Sequence, residues 1–184
     1  MKTALILLAT GFEETEAVTI IDVLRRARVE IVSACLDDLL VEGAHGIKIL
    51  ADVPLVDIKE RFFDAVILPG GMGGTNNLLA SEGVRDLLRN HAENGGIVSA
   101  ICAAPLVLEK AGLLAGKRAT IYPGLEDKLV SAGQVTGDAV VSDGQLVTSK
   151  GPGTAMEFAL QLVEKLVGKM VAEQVAGGLL YPRN

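Results

Sequence analysis

The feature that most constrains the fold is the alternation of short apolar runs with longer segments of helical periodicity. Residues 3–9 (TALILLA) and 97–101 (IVSAI) are continuous apolar runs of strand length, and helical patterns lie between the runs. Continuous rather than alternating apolar strands are typical of a parallel sheet covered by helices on both faces. We therefore predict an α/β fold in which the turn after each strand lies along one edge of the sheet. Ligands of such folds bind at that edge.

The rest of the pattern predicts a single domain spanning residues 1–184, without repeats or linkers. In the first half, the other predicted elements are a strand at 29–36, a hairpin at 39–50 around Gly43 and Gly46, a strand at 64–71 that runs into a glycine loop, and a helix at 82–94. In the second half, they are a strand near 118–122, a short helix near 125–131 and a hairpin turning at Asp143-Gly144. A long helix after residue 150 and an amphipathic tail at 169–180 follow.

Charge and cysteine content narrow the classes of partner and compartment. The chain carries 17 basic and 23 acidic residues, a formal charge of −6, and has no Lys/Arg cluster. This argues against nucleic acid and anionic membranes as partners. The first residues lack the pattern of a signal peptide, and no apolar run reaches the roughly 18 residues of a membrane span. Two cysteines without framework spacing indicate free thiols and a cytoplasmic location, with Cys35 a buried thiol.

Cys102 lies at a sharp corner within GGIVSAICAAPLVLEKAG (95–112), between the strand 97–101 and a helical pattern. At a helix N-terminus, unpaired N–H groups and the helix dipole lower a thiol's pKa, so we predict a reactive thiolate. The residues around it are small, as a strained nucleophile elbow requires: Ser99, Ala100, Ala103 and Ala104. Pro105 suits the first turn of the following helix. The alternative is that Cys102 is a small hydrophobic residue of the core.

Two further segments follow predicted strands and reach the same edge. In LPGGMGG (68–74), the amides of Gly70 and Gly71 could form an oxyanion hole together with that of Ala103. The segment matches neither a dinucleotide-binding fingerprint nor a Walker loop, and the alternative is a plain turn before a helix.

The second segment is GFEETEA (11–17), which places three glutamates at a helix start. Glu13 and Glu14 suit the helix dipole. Glu16 lies beside apolar residues and could point into a cleft. Next to a thiolate it would have to be protonated, because burial and a like charge both raise a carboxyl pKa.

These segments together resemble the ThiJ/PfpI superfamily, in the branch of the Parkinsonism-associated peroxide-sensing protein and the bacterial YajL-like proteins. GFEETEA, LPGGMGG, AICAAP and TSKGPGTAMEFAL occur in order, and the resemblance runs from residue 3 to about 175. It implies a flavodoxin-like (class I glutamine amidotransferase-like) three-layer sandwich and a homodimer. It also implies that Cys102 is the reactive cysteine, Glu16 its protonated partner, and Gly70, Gly71 and Ala103 the backbone donors.

The chain departs from the family pattern where many members carry a histidine after the strand that follows the nucleophile helix. Tyr122 occupies that place, which weakens a Cys–His dyad, and we do not predict classical proteolysis. His91 is predicted to be a solvated helix residue at the opposite sheet edge. Relatives often carry an arginine near His45 that reaches the partner's site, so His45 could line the pocket in trans. Pro152, in a turn predicted near Cys102, is a further candidate pocket residue.

The resulting hypothesis is a stress-protective enzyme of glyoxalase or deglycase type acting on small carbonyls, without cofactor or metal. Cys102 would add to an aldehyde and Glu16 would shuttle a proton. The alternative is a peroxide sensor or redox chaperone in which Cys102 is oxidised to a sulfinate. A flavin or nucleotide binder is disfavoured because no phosphate-binding fingerprint is present.

Overall fold

A seven-stranded, mostly parallel sheet forms the centre of the protein, whose computed structural model describes residues 1–182. The strands are β1 (Thr3–Leu8), β2 (Glu30–Cys35), β3 (Leu40–Glu42), β4 (Lys48–Leu50), β5 (Val53–Pro54), β6 (Ala65–Leu68), β7 (Ile97–Ile101), β8 (Arg118–Ala119), β9 (Gln134–Val135), β10 (Val140–Asp143) and β11 (Leu146–Ser149). The helices are α1 (Glu14–Arg26), α2 (Leu55–Ile58), α3 (Met72–Ala80), α4 (Glu82–Glu93), α5 (Pro105–Lys110), α6 (Ala155–Val167) and α7 (Lys169–Gly178). Two 3-10 turns lie at Glu126–Lys128 and Pro152–Thr154.

The strand order in the sheet is β10-β11-β7-β6-β1-β2-β5. Among the strands of this sheet within residues 1–182, β10 alone pairs antiparallel, with β11, through the hairpin that turns at Asp143-Gly144. The three central strands β1, β6 and β7 are buried along nearly their whole length, as the continuous apolar runs predicted. The predicted parallel α/β fold is therefore confirmed.

Helices cover both faces of the sheet and bury a separate core on each. Helices α1, α6 and α7 pack together on one face, where Ile20, Leu24 and Phe158 are fully buried. Helices α3, α4 and α5 pack on the other face, over Leu5, Leu68 and neighbouring side chains. Because strands contribute alternate side chains to the two cores, the sheet is the middle of three layers.

The C-terminal ends of β1, β6 and β7 lie side by side, and this adjacency positions the site. The turn after β1 begins α1, the turn after β6 contains Gly70 and Gly71, and the turn after β7 contains Cys102. Three segments that are far apart in sequence therefore meet at one edge of the sheet.

Some elements differ from the predictions. The pattern did not predict β5, α2 or α3, and α3 contains two glycines, which are poor helix formers. The strand near 118–122 is limited to β8, which pairs with β9 outside the main sheet. The helix near 125–131 is only a 3-10 turn. Within residues 1–182, no helix combines the length and apolarity needed to cross a membrane.

Candidate active site

Cys102 occupies a strained turn directly after β7. Its φ of 63° lies in the left-handed region, which costs a residue with a side chain on the order of 1–3 kcal/mol. The backbone around it is fixed, because its N–H donates to Ser149 O (3.0 Å) and its carbonyl accepts from Tyr122 N (2.9 Å). Helix α5 begins three residues later, at Pro105. The sharp corner predicted from the small flanking residues is therefore present, and the cysteine is half-buried in it.

Glu16 is the carboxyl group that faces this corner. It lies in the first turn of α1 and is fully buried. Its Oε2 accepts a 2.6 Å hydrogen bond from Gly70 N, whereas its Oε1 has no hydrogen-bond partner within residues 1–182. Burial raises the pKa of Glu16 to about 7, although the Gly70 hydrogen bond lowers it, and the negative charge of Glu13 adds to the rise.

The pKa of Cys102 departs from the prediction. Burial and the Glu16 carboxylate raise it to about 12, although hydrogen bonds from the Gly71 and Ala103 amides lower it. The prediction of a lowered Cys102 pKa was therefore wrong: with Glu16 ionised, the pKa is raised. Helix α5 starts too far along the chain to dominate, and a second negative charge in a dry site is costly. Near neutral pH the pair keeps one proton, so Cys102 is a thiolate only when Glu16 carries that proton.

Two of the three predicted backbone donors face the sulfur. The N–H groups of Gly71 and Ala103 hydrogen-bond to Cys102 and favour its charged form. The third prediction needs correction, because the N–H of Gly70 is already donated to Glu16 Oε2. Gly70 therefore holds the acid in place, and the developing charge at Cys102 is left with two amide donors.

Glycine is required at both positions of the β6 turn. A Cβ on Gly70 would lie 2.4 Å from Cys102 Cβ, 2.8 Å from Glu16 Oε2 and 3.0 Å from Cys102 Sγ. A Cβ on Gly71, whose φ is 83°, would lie 2.3 Å from Gly11 O. Real Cβ atoms do not make non-bonded contacts as short as 2.3–2.8 Å. The absent side chain of Gly70 therefore allows Cys102 and Glu16 to approach each other, and that of Gly71 allows the β6 turn to pack against Gly11.

Tyr122 and Pro152 lie beside this corner. Tyr122 is tied to it through its N–H, which donates to Cys102 O, and its side chain is about half exposed. The Tyr122 ring lies over Gly151, where a Cβ would be 3.2 Å from Cδ2. Pro152 is the exposed next residue, at the start of a 3-10 turn. Tyr122 is thus hydrogen-bonded to the backbone of Cys102, and Pro152 follows the residue that the Tyr122 ring covers. A role for either residue in a pocket remains a prediction.

A second group of charges lies at the start of α1. Glu13 caps the helix by accepting from Thr15 N (3.3 Å), as the dipole argument predicted. Glu14 is buried, and its Oε1 accepts from the backbone N–H groups of His45 (2.7 Å) and Ile47 (3.3 Å) in the β3–β4 hairpin. Burial opposes the ionisation of Glu14, but its hydrogen bonds from His45 and Ile47 outweigh this and lower its pKa.

The His45 side chain completes this group. Its Nδ1 lies 2.9 Å from Glu14 Oε2 and 3.4 Å from Glu13 Oε2, and the ring is largely exposed. The hydrogen bond to Glu14 and the charges of Glu13 and Glu14 raise the pKa of His45. In its own chain His45 therefore contacts the helix start, and its predicted role in a partner's pocket remains a prediction.

The same three side chains offer the ligand types of a metal site. One candidate ligand atom from each of Glu13, Glu14 and His45 lies within 4.8 Å of the others. The donors are nevertheless engaged, since Glu14 holds the hairpin through both oxygens and Glu13 caps α1. A helix N-terminus also disfavours a cation. We therefore assign the group as an ion-pair cluster.

His91 is not the solvated residue that was predicted. It is 3% exposed, its Nε2 accepts from Phe63 N (3.1 Å) and its Nδ1 donates to Leu87 O (2.9 Å). The Phe62 ring stacks on it at 5.3 Å. It lies in α4, ahead of β7 and away from Cys102, as expected. Cys35 is buried, as predicted.

Comparison with known proteins shows the family of the chain. The sequence profile described as DJ-1/PfpI family matches residues 2–165. The chain belongs to the DJ-1/PfpI family. It is 45% identical to Protein dj-1beta of Drosophila melanogaster, covering the whole of this chain and 99% of the relative. The crystal structure of that fly protein superposes with a TM-score of 0.96, covering 99% of both chains.

Two other family members have names that bear on chemistry. A Caenorhabditis elegans protein named glutathione-independent glyoxalase DJR-1.2 is 40% identical, covering 91% of this chain and 90% of its own. A structure of Toxoplasma gondii DJ-1, described as oxidized, is 36% identical, covers both chains fully and superposes with a TM-score of 0.94. The first name concerns carbonyl chemistry and the second an oxidised state, which correspond to the two hypotheses drawn from the sequence.

Proposed function

We propose that the protein is a cysteine-dependent, stress-protective enzyme of glyoxalase or deglycase type that acts on small reactive carbonyls. The observation that carries the proposal is the arrangement of Cys102 in a strained turn, against a buried acid of raised pKa and two amide N–H groups. A nucleophile, a proton carrier and oxyanion donors are the groups that this chemistry requires. The glyoxalase relative from C. elegans supports the same choice of substrate class.

The reaction would begin with proton transfer from the thiol to Glu16. The sulfur of Cys102 then forms a bond to the aldehyde carbon of a 2-oxoaldehyde, and the carbonyl electron pair moves onto oxygen. The amides of Gly71 and Ala103, which hydrogen-bond to the sulfur, would serve as donors for that oxyanion. Transfer of the proton from Glu16 to the oxyanion completes a hemithioacetal and regenerates the carboxylate.

Glu16 would then act twice more as a proton carrier. Its carboxylate removes the C1 proton, giving an enediolate, and the hydroxyl proton on O1 moves to O2. Glu16 then returns its proton to C2, which leaves a 2-hydroxyacyl thioester on Cys102. Water hydrolyses the thioester, and the products are the 2-hydroxy acid and the free thiol. A group with a pKa near 7 is suited to both steps, because it accepts and donates protons at neutral pH.

Amide-bond proteolysis is not proposed. The chain has two histidines, and within residues 1–182 neither hydrogen-bonds to Cys102, since His91 binds Phe63 and His45 binds Glu14. Protonation of an amine leaving group would have no aligned imidazole. Tyr122 occupies the position at which many family members carry histidine.

The second candidate function is peroxide sensing or redox chaperone action. Cys102 is only half-buried, and a relative of known structure is described as oxidized. Oxidation of the thiolate to a sulfinate by peroxide would place acidic oxygens where Glu16 and the amide donors converge. The two candidates differ in stoichiometry, because sensing consumes one thiol per event and an enzyme turns over.

We further propose that two copies assemble as a homodimer. Helix α1 and the β3–β4 hairpin expose the apolar side chains of Val18, Leu40, Ile47 and Leu50. A second copy of the chain would remove these side chains from water. The mass of the protein in solution tests this directly, and a monomer at micromolar concentration would refute it.

The experiment for the enzymatic proposal is lactate formation from methylglyoxal by the reduced protein. Cys102→Ser removes the nucleophile, and Cys35→Ser is the matched control because it removes the other thiol, which is buried at the end of β2. Many lactate molecules per protein, lost only in Cys102→Ser, support the enzyme. Equal inertness of all three proteins would refute it and favour the sensor.

A further inference from the structure

The ion-pair cluster at the start of α1 adjoins the Cys102–Glu16 pair. Glu13 N donates to Gly70 O (2.9 Å), and Gly70 N donates in turn to Glu16 Oε2 (2.6 Å). The Glu13 carboxylate lies 3.4 Å from His45 Nδ1. A continuous chain of contacts therefore runs from the hairpin histidine to the buried acid.

Glu13 acts on Glu16 mainly through its charge. Glu13 is the N-cap residue of α1 and Glu16 lies in its first turn, and the negative charge of Glu13 opposes ionisation of Glu16. The cation that faces Glu13 is His45, which also contacts Glu14. On the hairpin itself, Lys48 is paired with Glu42 (3.2 Å). The charge of His45 therefore decides how much of the Glu13 charge Glu16 experiences.

We propose that His45 is a positioning residue that tunes the protonation of the Cys102–Glu16 pair by neutralising Glu13. When His45 is protonated, the Glu13 charge is balanced and the pair releases its first proton more readily. When His45 loses its proton, Glu13 is unbalanced and the pair holds that proton to higher pH. Glu14 fixes the geometry, because it binds both the backbone and the ring of His45.

Any effect of His45 on turnover rests on the proposed enzymatic function. Its effect on the reactivity of the Cys102 thiol does not depend on that function. The test is therefore the rate of Cys102 alkylation by iodoacetamide between pH 5 and 9, read at the Cys102 peptide by mass spectrometry. His45→Gln removes the cation, and we expect the midpoint of the rate profile to move to higher pH. Below the midpoint, alkylation should slow about threefold at low ionic strength, and the difference should shrink in high salt.

Three further variants separate tuning from a general loss of structure. His45→Arg keeps a cation and should retain the wild-type midpoint. Glu13→Gln should move the midpoint to lower pH and should make an added His45→Gln silent. Lys48→Gln removes a hairpin cation that pairs with Glu42, and it should leave the midpoint unchanged.

An unchanged midpoint in His45→Gln would overturn the proposal. Equal shifts in His45→Gln and His45→Arg would also overturn it, because they would indicate a structural effect of losing the ring. Equal shifts in His45→Gln and Lys48→Gln would overturn it too, because they would indicate an effect of net charge alone. Lactate formation is measured in parallel. A protein that forms no lactate but shows the His45 shift refutes the enzymatic function and leaves the tuning intact.

Discussion

The substitution Gly70→Ala adds one methyl group at the centre of the site. Its Cβ would lie 2.4 Å from Cys102 Cβ and 2.8 Å from Glu16 Oε2, well inside van der Waals contact. The β6 turn cannot retreat freely, because Gly70 is bonded through its N–H to Glu16 and through its carbonyl to Glu13. Either the Cys102 turn or the Glu16 side chain must therefore move.

Overpacking of this kind costs about 1–3 kcal/mol, which for a chain of this size lowers the melting temperature by about 2–12 °C. Because separating nucleophile and acid by even 1 Å is expensive, we expect methylglyoxal turnover to fall about a hundredfold. Thermal unfolding and lactate formation are measured on the same preparations. Gly137→Ala is the control, since a Cβ there meets open space. A folded Gly70→Ala protein with wild-type turnover and melting temperature would refute the proposed role of Gly70.

Three further predictions follow from the titrating groups and the hairpin. The rate of Cys102 alkylation should rise with pH in two phases, the first near pH 7 and the second approaching pH 12, because Cys102 and Glu16 share a proton. Glu16→Gln should leave a single phase, and two phases in that variant would contradict the shared proton. Burial lowers the pKa of His91 in the folded protein, so its contribution to stability is present above about pH 6.5 and is lost as the pH falls through its folded pKa. In denaturant unfolding between pH 4 and 8, the free energy of unfolding should fall with decreasing pH in wild type and fall less in His91→Gln. An equal pH dependence in the two proteins would contradict this. Glu14→Gln should speed hydrogen exchange at the His45 and Ile47 amides but not at Leu5 in the central sheet, and unchanged exchange at both hairpin amides would show that Glu14 does not hold the loop.

The sheet, and the meeting of the candidate site segments at one of its edges, could be predicted because both depend on short-range patterns. Continuous apolar runs require burial on both faces, and parallel connections bring the ends of β1, β6 and β7 to one edge. The corner at Cys102 was visible from its small neighbours. Family resemblance added the pairing of Cys102 with Glu16, which no spacing in the sequence shows by itself.

The features that were missed depend on contacts between distant segments. Gly70 N could have faced an oxyanion, but Glu16 accepts its hydrogen bond, and only the packing of α1 against the β6 turn decides this. His91 was predicted to be a solvated helix residue at the opposite sheet edge, yet the rings of Phe62 and Phe63 stack against it. The pKa of Cys102 depends on burial and on the Glu16 charge, neither of which is local in sequence.

The proton carried by Glu16 is the centre of the proposed chemistry, and isotope transfer tests it most directly. Methylglyoxal is converted in D₂O, and the hydrogen at C2 of the lactate is identified by NMR. Since a carboxyl proton exchanges with solvent, a shuttle through Glu16 predicts deuterium at C2. Lactate with protium at C2 would indicate direct hydride migration and would contradict the account. Wild-type protein that forms no more lactate than Cys102→Ser would contradict it as well.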